Sequence, residues 1–275
     1  MNKKGFFFVV SAYICWGLFP IYWKQLQHVS ALQVIAHRIV WAFLFTCLLL
    51  LATRQLASLR QVIKPKIFLP YGIAAALIAG NWFVYVWAVN HNYIIEASLG
   101  YFINPLISVL LGVIVLREHL RKLQWLSIFL ASIGVLVLTL AYGRIPWIAF
   151  TLALTFSVYG LIKKLAPLPS LLGLTIETSI LFIPALFYLY HQNVIGKGAL
   201  LQIDGLTDLF LIGAGIITTL TLFMFSSAAK IISLTHIGLL EYIAPTLAFL
   251  TGILLYHEPF DTPACSDSLL SGSHS

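Results

Sequence analysis

Three ionisable side chains lie inside long apolar stretches of the sequence, where charged groups are scarce. They are Arg38, Glu177 and Glu241. A charge inside hydrocarbon is costly, so such residues usually face a water-filled cavity or a polar partner. A carboxylate in this setting could take up a proton or hold a cationic group. The structural alternatives are an Arg38 that reaches back to the membrane surface and carboxylates that serve as fixed partners between helices.

The residues near these charges extend the candidate set. His37 precedes Arg38 and is expected to form a polar pair with it at one end of a cavity. Asn104 precedes Pro105, and its amide could reach either a freed backbone carbonyl or a substrate. Pro105 and Pro245 fall inside apolar stretches, and a proline within a helix removes a hydrogen bond and bends the chain. We therefore predict a kink at each proline, which either shapes a cavity or hinge or is merely structural.

Aromatic residues form a further group of candidates for a cavity wall. Most aromatics in an apolar chain pack between helices or lie at the membrane interface, so each is more readily explained by packing than by contact with a substrate. This group comprises Trp16, Trp82, Tyr85, Tyr101, Tyr159 and Tyr242.

The composition indicates which elements must position these residues. Hydrophobic residues make up 60% of the 275-residue chain and charged residues only 9%, whereas a soluble domain carries about 25% charged residues. Lipid is the natural solvent for such a surface, and helices are expected because backbone groups in lipid must pair within their own segment. Pro65 and Pro70 are expected in a connecting loop. We predict an all-α integral membrane protein with nine transmembrane helices at about 5–23, 31–52, 70–91, 94–116, 123–141, 145–163, 170–190, 207–229 and 233–256.

Lysine and arginine lie mostly in the loops on one side of the predicted membrane. With the N-terminus in the cytoplasm, the cytoplasmic loops carry 12 of them, Lys163 and Lys164 included, and the outside loops carry 3. Because cytoplasmic loops are enriched in Lys and Arg, this bias favours that orientation in a bacterial inner membrane. The net charge of +7 is thus a topology signal, and nucleic acid is not an expected partner.

The two halves of the chain are weakly similar at a spacing of 140 residues. This spacing pairs Pro105 with Pro245 and Tyr101 with Glu241. A repeat unit of five helices crosses the membrane an odd number of times, so the two copies would be inverted, as in many secondary transporters. The same spacing also pairs Trp82 with Leu222, Gly112 with Gly252, Glu118 with Glu258 and His37 with Glu177.

The second repeat lacks a counterpart of the fifth helix. We predict a first repeat of five helices at 1–142, a second repeat of four helices at 143–260 and a polar tail at 261–275. The tail is too short and too polar to supply the ~20 apolar residues of a membrane helix. With nine helices of an expected ten, the tail is expected in the periplasm.

The sequence contains no pattern that is typical of an enzyme, a metal site or a nucleotide-binding site. Its three cysteines, Cys15, Cys47 and Cys265, form neither a CxxC motif nor a cluster with histidine. No glycine-rich phosphate loop is visible. We therefore expect no cofactor, no metal and no catalytic residue.

Several short motifs combine aromatic, proline and charged residues. They are Tyr13-x-x-Trp16-Gly17-x-x-Pro20-x-Tyr22-Trp23-Lys24, His37-Arg38-Ile39, Gly100-Tyr101-Phe102-Ile103-Asn104-Pro105, Tyr159-Gly160-Leu161-Ile162-Lys163-Lys164 and Glu177-Thr178. These motifs resemble those of the RarD-type permeases, in the EamA group of the drug/metabolite transporter superfamily. The resemblance covers about residues 1–260 and implies ten helices, two inverted repeats and a central cavity for small metabolites.

Together these features predict a permease for small, partly apolar metabolites or drugs that works by alternating access. The lipid bilayer and a small-molecule substrate are the expected partners, and a homo-oligomer is compatible with the sequence. Glu177 or Glu241 would carry protons if transport is proton-coupled. A chain without the tenth helix could instead be a non-transporting membrane protein or a subunit that a partner completes.

Overall fold

The computed structural model describes residues 2–62, 65–91, 93–143 and 145–256, and helices are the only regular elements in those ranges. Nine helices there, with α10 and α11 counted together, are long and apolar enough to cross a membrane, which confirms the predicted all-α membrane fold. The predicted tail at 261–275, with Cys265, lies outside the described residues. The helices are α1 (Lys3–Lys24), α2 (Ala31–Ala52), α3 (Leu56–Val62), α4 (Pro65–Asn90), α5 (Ile94–Ile114), α6 (Lys122–Tyr142), α7 (Trp147–Leu165), α8 (Ser170–Val194), α9 (Gly205–Ile231), α10 (Leu234–Glu241) and α11 (Ile243–Tyr256).

Short polar side chains start several of these helices. Ser30 caps α2 through the N–H of Gln33, and Ser233 caps α10 in the same way. Asp204 caps α9 by accepting from the N–H of Thr207 at 2.8 Å, and this hydrogen bond lowers the pKa of the Asp204 carboxyl. Each cap satisfies one of the N–H groups that have no partner within a helix. The caps therefore fix where these segments begin.

The segment before the third membrane helix differs from the sequence prediction. Leu56–Val62 forms the short helix α3, where the sequence predicts only a loop. The expectation that Pro65 and Pro70 lie in a loop is also wrong, because α4 begins at Pro65 and contains Pro70. Proline suits the first helical position, where its missing N–H has no partner to lose. Pro70 lies in the second turn of α4, where its missing N–H leaves the carbonyl of Lys66 without its helical hydrogen bond.

The last membrane crossing is broken at Tyr242. α10 ends at Glu241 and α11 begins at Ile243. Pro245 has no N–H to donate to the carbonyl of Glu241, four residues earlier, so a regular helix is interrupted here. The break places Glu241 at a helix end inside the bundle. In contrast, α5 runs through Pro105 as one helix, so a kink at that position stays a prediction.

The helices pack so that each half of the chain contacts the other. α1 packs against α9 and α11, α2 against α8 and α9, and α5 against α7 and α10. α6 lies at the edge, packs mainly against α5, and exposes large apolar side chains such as Leu126, Phe129 and Leu136. Apolar surface on this scale suits contact with lipid rather than water.

The two ends of the bundle differ in the residues that they carry. Trp23 and Trp147 lie at helix ends on one side, which we call the tryptophan end. Lys163, Lys164 and Lys230 lie in the last turns of α7 and α9, at the opposite side, which we call the lysine end. Tryptophan and basic residues are both typical of membrane–water interfaces.

α1 and α11 approach closely at Gly17. A Cβ atom at this position would lie 2.6 Å from the Cβ of Leu247 and 2.9 Å from the carbonyl oxygen of Ala244. The Gly17→Ala variant should push the two helices apart and lower the melting temperature in detergent, at a cost of about 1–3 kcal/mol. Gly134→Ala is the matched control, because no atom lies within 4 Å of its Cβ position. Equal melting temperatures for the two variants would contradict the close packing.

Candidate functional site

A cavity of about 240 Å³ lies inside the bundle and is bordered by α1, α2, α4, α5, α7, α9, α10 and α11. Its wall combines aromatic rings with a few polar groups, among them the candidates Arg38, Tyr101, Asn104 and Glu241. The volume is slightly below the ~300–1,000 Å³ of most ligand pockets, and a largely apolar wall with a few placed polar groups is typical of them. The geometry therefore suits a small organic molecule.

Arg38 projects into this cavity between two aromatic rings. Its guanidinium carbon lies 4.7 Å from the ring centre of Trp23 and 4.1 Å from that of Trp82. Its Nε donates to the hydroxyl of Thr218 at 3.0 Å. Cation–π contacts with the two rings hold the guanidinium in place, while no carboxylate in the described ranges pairs with it. The positive charge is therefore oriented but unpaired.

Glu241 lies in the same cavity and is held by the residue that precedes Pro105. Asn104 Nδ2 donates to Glu241 Oε1 at 2.5 Å, and Asn104 Oδ1 accepts from the Ser157 hydroxyl at 2.5 Å. Glu241 Oε2 is buried and has no hydrogen-bond partner among the described residues. The nearby Ser108 hydroxyl donates to Ser157 instead, at 3.1 Å. Oε2 of Glu241 is therefore enclosed by the protein in this conformation.

Tyr101 lies near both charges. It is within electrostatic range of Arg38 and of Glu241, and its ring packs edge-on against Tyr85 at a centroid distance of 5.9 Å. Both tyrosines border the cavity. The two ionisable side chains, Arg38 and Glu241, thus share one space with aromatic walls.

Glu177 lies outside the lining of this cavity, in a buried ion pair between α7 and α8. Its Oε1 is 2.5 Å from Lys163 Nζ, and the two side chains are 2% and 1% exposed. Its Oε2 accepts from the Tyr159 hydroxyl at 3.3 Å. The expectation that Lys163 belongs to a cytoplasmic loop is wrong, because its side chain turns inward, with its Nζ 5.7 Å from the ring centres of Tyr71 and Tyr159. Glu177 is therefore a fixed partner between two helices in this conformation.

His37 does not line the cavity that Arg38 enters. Its ring is buried, and its Nδ1 has no hydrogen-bond partner in the part of the chain that the structure describes. Successive residues of a helix do not face each other, so His37 and Arg38 point in different directions. The expected polar pair is therefore not formed, and Arg38 contacts Thr218 instead.

A layer of buried aromatic rings separates the cavity from the lysine end. Tyr13, Tyr159 and Phe225 are each at most 1% exposed. Tyr159 and Phe225 stack with their ring centres 6.1 Å apart, and Trp16 packs against Phe225 at 5.5 Å. These contacts belong to the largest apolar cluster of the bundle interior. The layer leaves no gap for a solute in this conformation.

Beyond the aromatic layer, Glu118 joins the two halves of the chain at the lysine end. Its carboxylate accepts hydrogen bonds from the backbone N–H groups of Leu234 and Thr235, each at 2.8 Å, at the start of α10. Lys164 Nζ lies 4.0 Å from the same carboxylate and donates to the carbonyl of Ile232 at 2.6 Å. The cavity is therefore closed at this end.

The sequence analysis did not single out several polar or aromatic cavity residues, among them Trp23, Asn81 and Thr218. Asn81 Nδ2 donates to the carbonyl of Leu152 and to the hydroxyl of Thr155, both at 2.9 Å. Asn81 could have been identified from the sequence, because it is a single amide side chain within an apolar segment. Trp23 and Thr218 carry no such signal, because an end-of-helix tryptophan indicates an interface and a single hydroxyl is common in membrane helices.

The described residues contain no group of three His, Cys, Asp or Glu side chains that could hold a metal ion. Cys15 and Cys47 are free thiols, each half-buried, on α1 and α2. Neither borders the cavity.

Comparison with known proteins gives consistent matches along nearly the whole chain. Residues 3–140 match the EamA-like transporter family. The chain is 46% identical to the uncharacterized transporter YojE of Bacillus subtilis, over 95% of this chain and 88% of that protein. It is 40% identical to the protein RarD of Escherichia coli K12, over 94% of this chain and 87% of that protein. A solved crystal structure shares the fold, with a TM-score of 0.69 and 17% identity over 94% of this chain and 91% of the other.

Proposed function

The chain belongs to the EamA-like transporter family, and we propose that it moves a small solute across the membrane by alternating access around the central cavity. The observation that carries this proposal is the placement of two ionisable side chains, Arg38 and Glu241, in one cavity inside an apolar bundle. Ionisable groups inside a membrane that face a cavity usually mark a transport pathway.

We infer that the chain consists of two inverted repeats, 1–142 and 143–260. The helix packing supports this arrangement because it is reciprocal. In this arrangement α1 corresponds to α7, α4 corresponds to α9, and α5 corresponds to α10 and α11 together. α1 contacts α9 and α11 of the second repeat. In the same way, α7 contacts α4 and α5 of the first repeat. Reciprocal contacts of this kind follow from a two-fold relation between two similar units.

Residues that are 140 positions apart also approach each other in the bundle. The Tyr242 hydroxyl donates to the carbonyl of Phe102, its counterpart, at 3.4 Å. Arg38 and its counterpart Thr178 border the same small cavity of about 20 Å³ beside the large one. Equivalent positions approach each other only near a symmetry axis, so these contacts support a pseudo-two-fold axis beside the site.

Alternating access requires the lysine end to open in a second conformation. The contacts that close this end are aromatic packing and the hydrogen bonds of Glu118 to the start of α10. Glu118 belongs to the first repeat and α10 to the second, so a rocking motion of the repeats would break these bonds together. The Lys/Arg bias favours a cytoplasmic lysine end, and the described conformation is then closed to the cytoplasm.

We assign proton coupling to Glu241 rather than to Glu177. Glu241 borders the cavity and has a carboxylate oxygen without a partner among the described residues. Glu177 already compensates the charge of Lys163, and protonation of Glu177 would leave a buried lysine unpaired, which is strongly unfavourable. A proton carrier must gain and lose its proton in each cycle, which suits Glu241 better because no lysine depends on its charge.

Transport by purified protein in liposomes tests this function. Liposomes preloaded with an unlabelled mixture of amino acids, organic acids and amines should take up labelled members of that mixture by exchange. The Arg38→Gln variant should lower the exchange rate about tenfold or more, since it removes charge-assisted hydrogen bonds. Lys122→Gln, exposed at the start of α6, is the matched control and should exchange at the wild-type rate. Exchange no faster than in protein-free liposomes would contradict the proposal and favour a non-transporting membrane protein.

A further inference from the structure

A further cavity, of about 430 Å³, is a groove beside the edge helix α6, between α5, α6 and α10. It shares no lining residue with the central cavity. Its wall is mainly apolar and includes Pro105, Leu106, Val109, Ile128, Ala131 and Leu239. Because α6 packs mainly against α5 and exposes its outer face, the groove lies at the boundary between the bundle and the surrounding lipid.

The two polar side chains in the groove wall already donate their hydrogen bonds. The Ser127 hydroxyl donates to the carbonyl of Leu123 at 3.1 Å, and the Tyr242 hydroxyl donates to the carbonyl of Phe102 at 3.4 Å. An ordered water needs two to four polar partners, which this wall does not offer. The groove is therefore suited to a hydrocarbon group.

The depth of the groove matches one leaflet of a bilayer. Arg121 caps the start of α6 at the lysine end, and its spacing from Gln124, Ile128 and Ala131 places these four residues on one face of the helix. At 1.5 Å per residue, the ten residues from Arg121 to Ala131 span about 15 Å. Half of a hydrocarbon core of ~30 Å has the same thickness. The groove therefore runs from the membrane surface to the middle of the membrane, as an acyl chain does.

The mouth of the groove carries a positive charge. Arg121 and Arg117 are exposed there, and no ion pair among the described residues involves either of them. Glu118, which lies between them in the sequence, accepts from the start of α10 instead. A second apolar helix in the groove would leave Arg121 without an anion, whereas arginine binds phosphate well. Since Glu118 is already engaged, a headgroup with an ammonium group would find no carboxylate here, and an anionic headgroup fits better.

We propose that the groove between α5, α6 and α10 holds one acyl chain of an anionic phospholipid, whose phosphate binds Arg121. The lipid belongs to the leaflet at the lysine end, which the Lys/Arg bias favours as the cytoplasmic leaflet. The end of its chain reaches Pro105 and Tyr242, so it contacts the break between α10 and α11. A bound lipid would thus support the broken helix from the membrane side.

Native mass spectrometry of the full chain, purified in detergent and stripped of lipid, tests this proposal. Phosphatidylglycerol and phosphatidylethanolamine with identical acyl chains are titrated separately. In the one-to-one complex, phosphatidylglycerol should bind about tenfold more tightly, because its headgroup has no ammonium group to offset the attraction to Arg121. Glycerol 3-phosphate, which has the phosphate without the chains, should not displace the lipid. Displacement by glycerol 3-phosphate would indicate a site for free phosphate and would overturn the proposal.

Two pairs of variants separate the headgroup contact from the chain contact. Arg121→Gln should remove the preference for phosphatidylglycerol, whereas Lys122→Gln, on the outer face of α6 with Phe129, should keep it. Ala131→Phe fills the groove and should weaken the binding of both lipids about tenfold. Its matched control is Ile133→Phe on the exposed face of α6, which should bind both lipids as the wild type does.

Three results would overturn the lipid site. The first is equal affinity of the wild-type protein for the two lipids. The second is wild-type lipid binding by both Arg121→Gln and Ala131→Phe. The third is a dimer that forms without lipid and is lost in Ala131→Phe, because a second copy of the chain would then cover the groove.

Discussion

Replacement of Glu241 by glutamine is expected to abolish the response of transport to a pH gradient. Glutamine keeps the shape of the side chain and can still accept from Asn104, but it cannot gain or lose a proton. In proteoliposomes with a pH gradient, accumulation of solute by the variant should fall to the level reached without a gradient. The measurement is uptake with and without the gradient, at equal amounts of reconstituted protein.

Two further variants make this result specific to the cavity carboxylate. Asp208→Asn removes a carboxylate that binds the backbone N–H of Leu201 on the surface at the tryptophan end, and its response to the gradient should match the wild type. Glu241→Asp keeps an ionisable group and should retain part of the response. An unchanged pH response in Glu241→Gln would remove this residue as the proton carrier.

Replacement of Glu177 by glutamine should strongly destabilise the protein. The change leaves Lys163, which is 1% exposed, without its counter-ion in the bundle interior. Loss of one partner of a buried ion pair costs about 3–5 kcal/mol, because the remaining charge is desolvated and unpaired. The melting temperature in detergent and the yield of folded protein should both fall.

The double variant Lys163→Met, Glu177→Gln separates the cost of the unpaired charge from other effects. Methionine has a similar length and carries no charge, so the double variant should recover most of the stability that Glu177→Gln loses. Lys164→Met, which leaves the buried pair intact, is a matched control and should have a much smaller effect. A double variant as unstable as the single one would contradict the assignment of Glu177 as the counter-ion of Lys163.

Most of the fold could be predicted from the sequence, because a membrane helix needs about 20 apolar residues in succession and a segment of that length is easy to recognise. The exceptions are local. α3 is a single short helix in a basic segment and has no apolar run to indicate it. The break at Tyr242 depends on Pro245 together with packing of two helices, whereas Pro105, at the equivalent position, leaves α5 continuous. A proline alone therefore does not decide where a membrane helix is broken.

The candidate site could be predicted only in part. Arg38 and Glu241 were identifiable because a charge in an apolar segment needs a polar surrounding, and both border the cavity. Glu177 met the same criterion but pairs with Lys163. The sequence does not indicate that pairing, because two adjacent lysines near a helix end are typical of a membrane surface. The rotation of α7 about its axis turns Lys163 inward, whereas Lys164 stays near Glu118.

The measurement that tests the central claim most directly is the sidedness of thiol labelling at Ala244, which borders the cavity. Ala244→Cys is made in a chain in which Cys15, Cys47 and Cys265 are replaced by serine, and a charged, membrane-impermeant reagent is applied to right-side-out and to inside-out vesicles. Leu136→Cys, on the exposed apolar face of α6, is the control and should remain unlabelled. The alternating-access account predicts that Cys at position 244 reacts from both faces of the membrane, and that reaction from one face prevents reaction from the other. Labelling from one face only, or from neither, would contradict it.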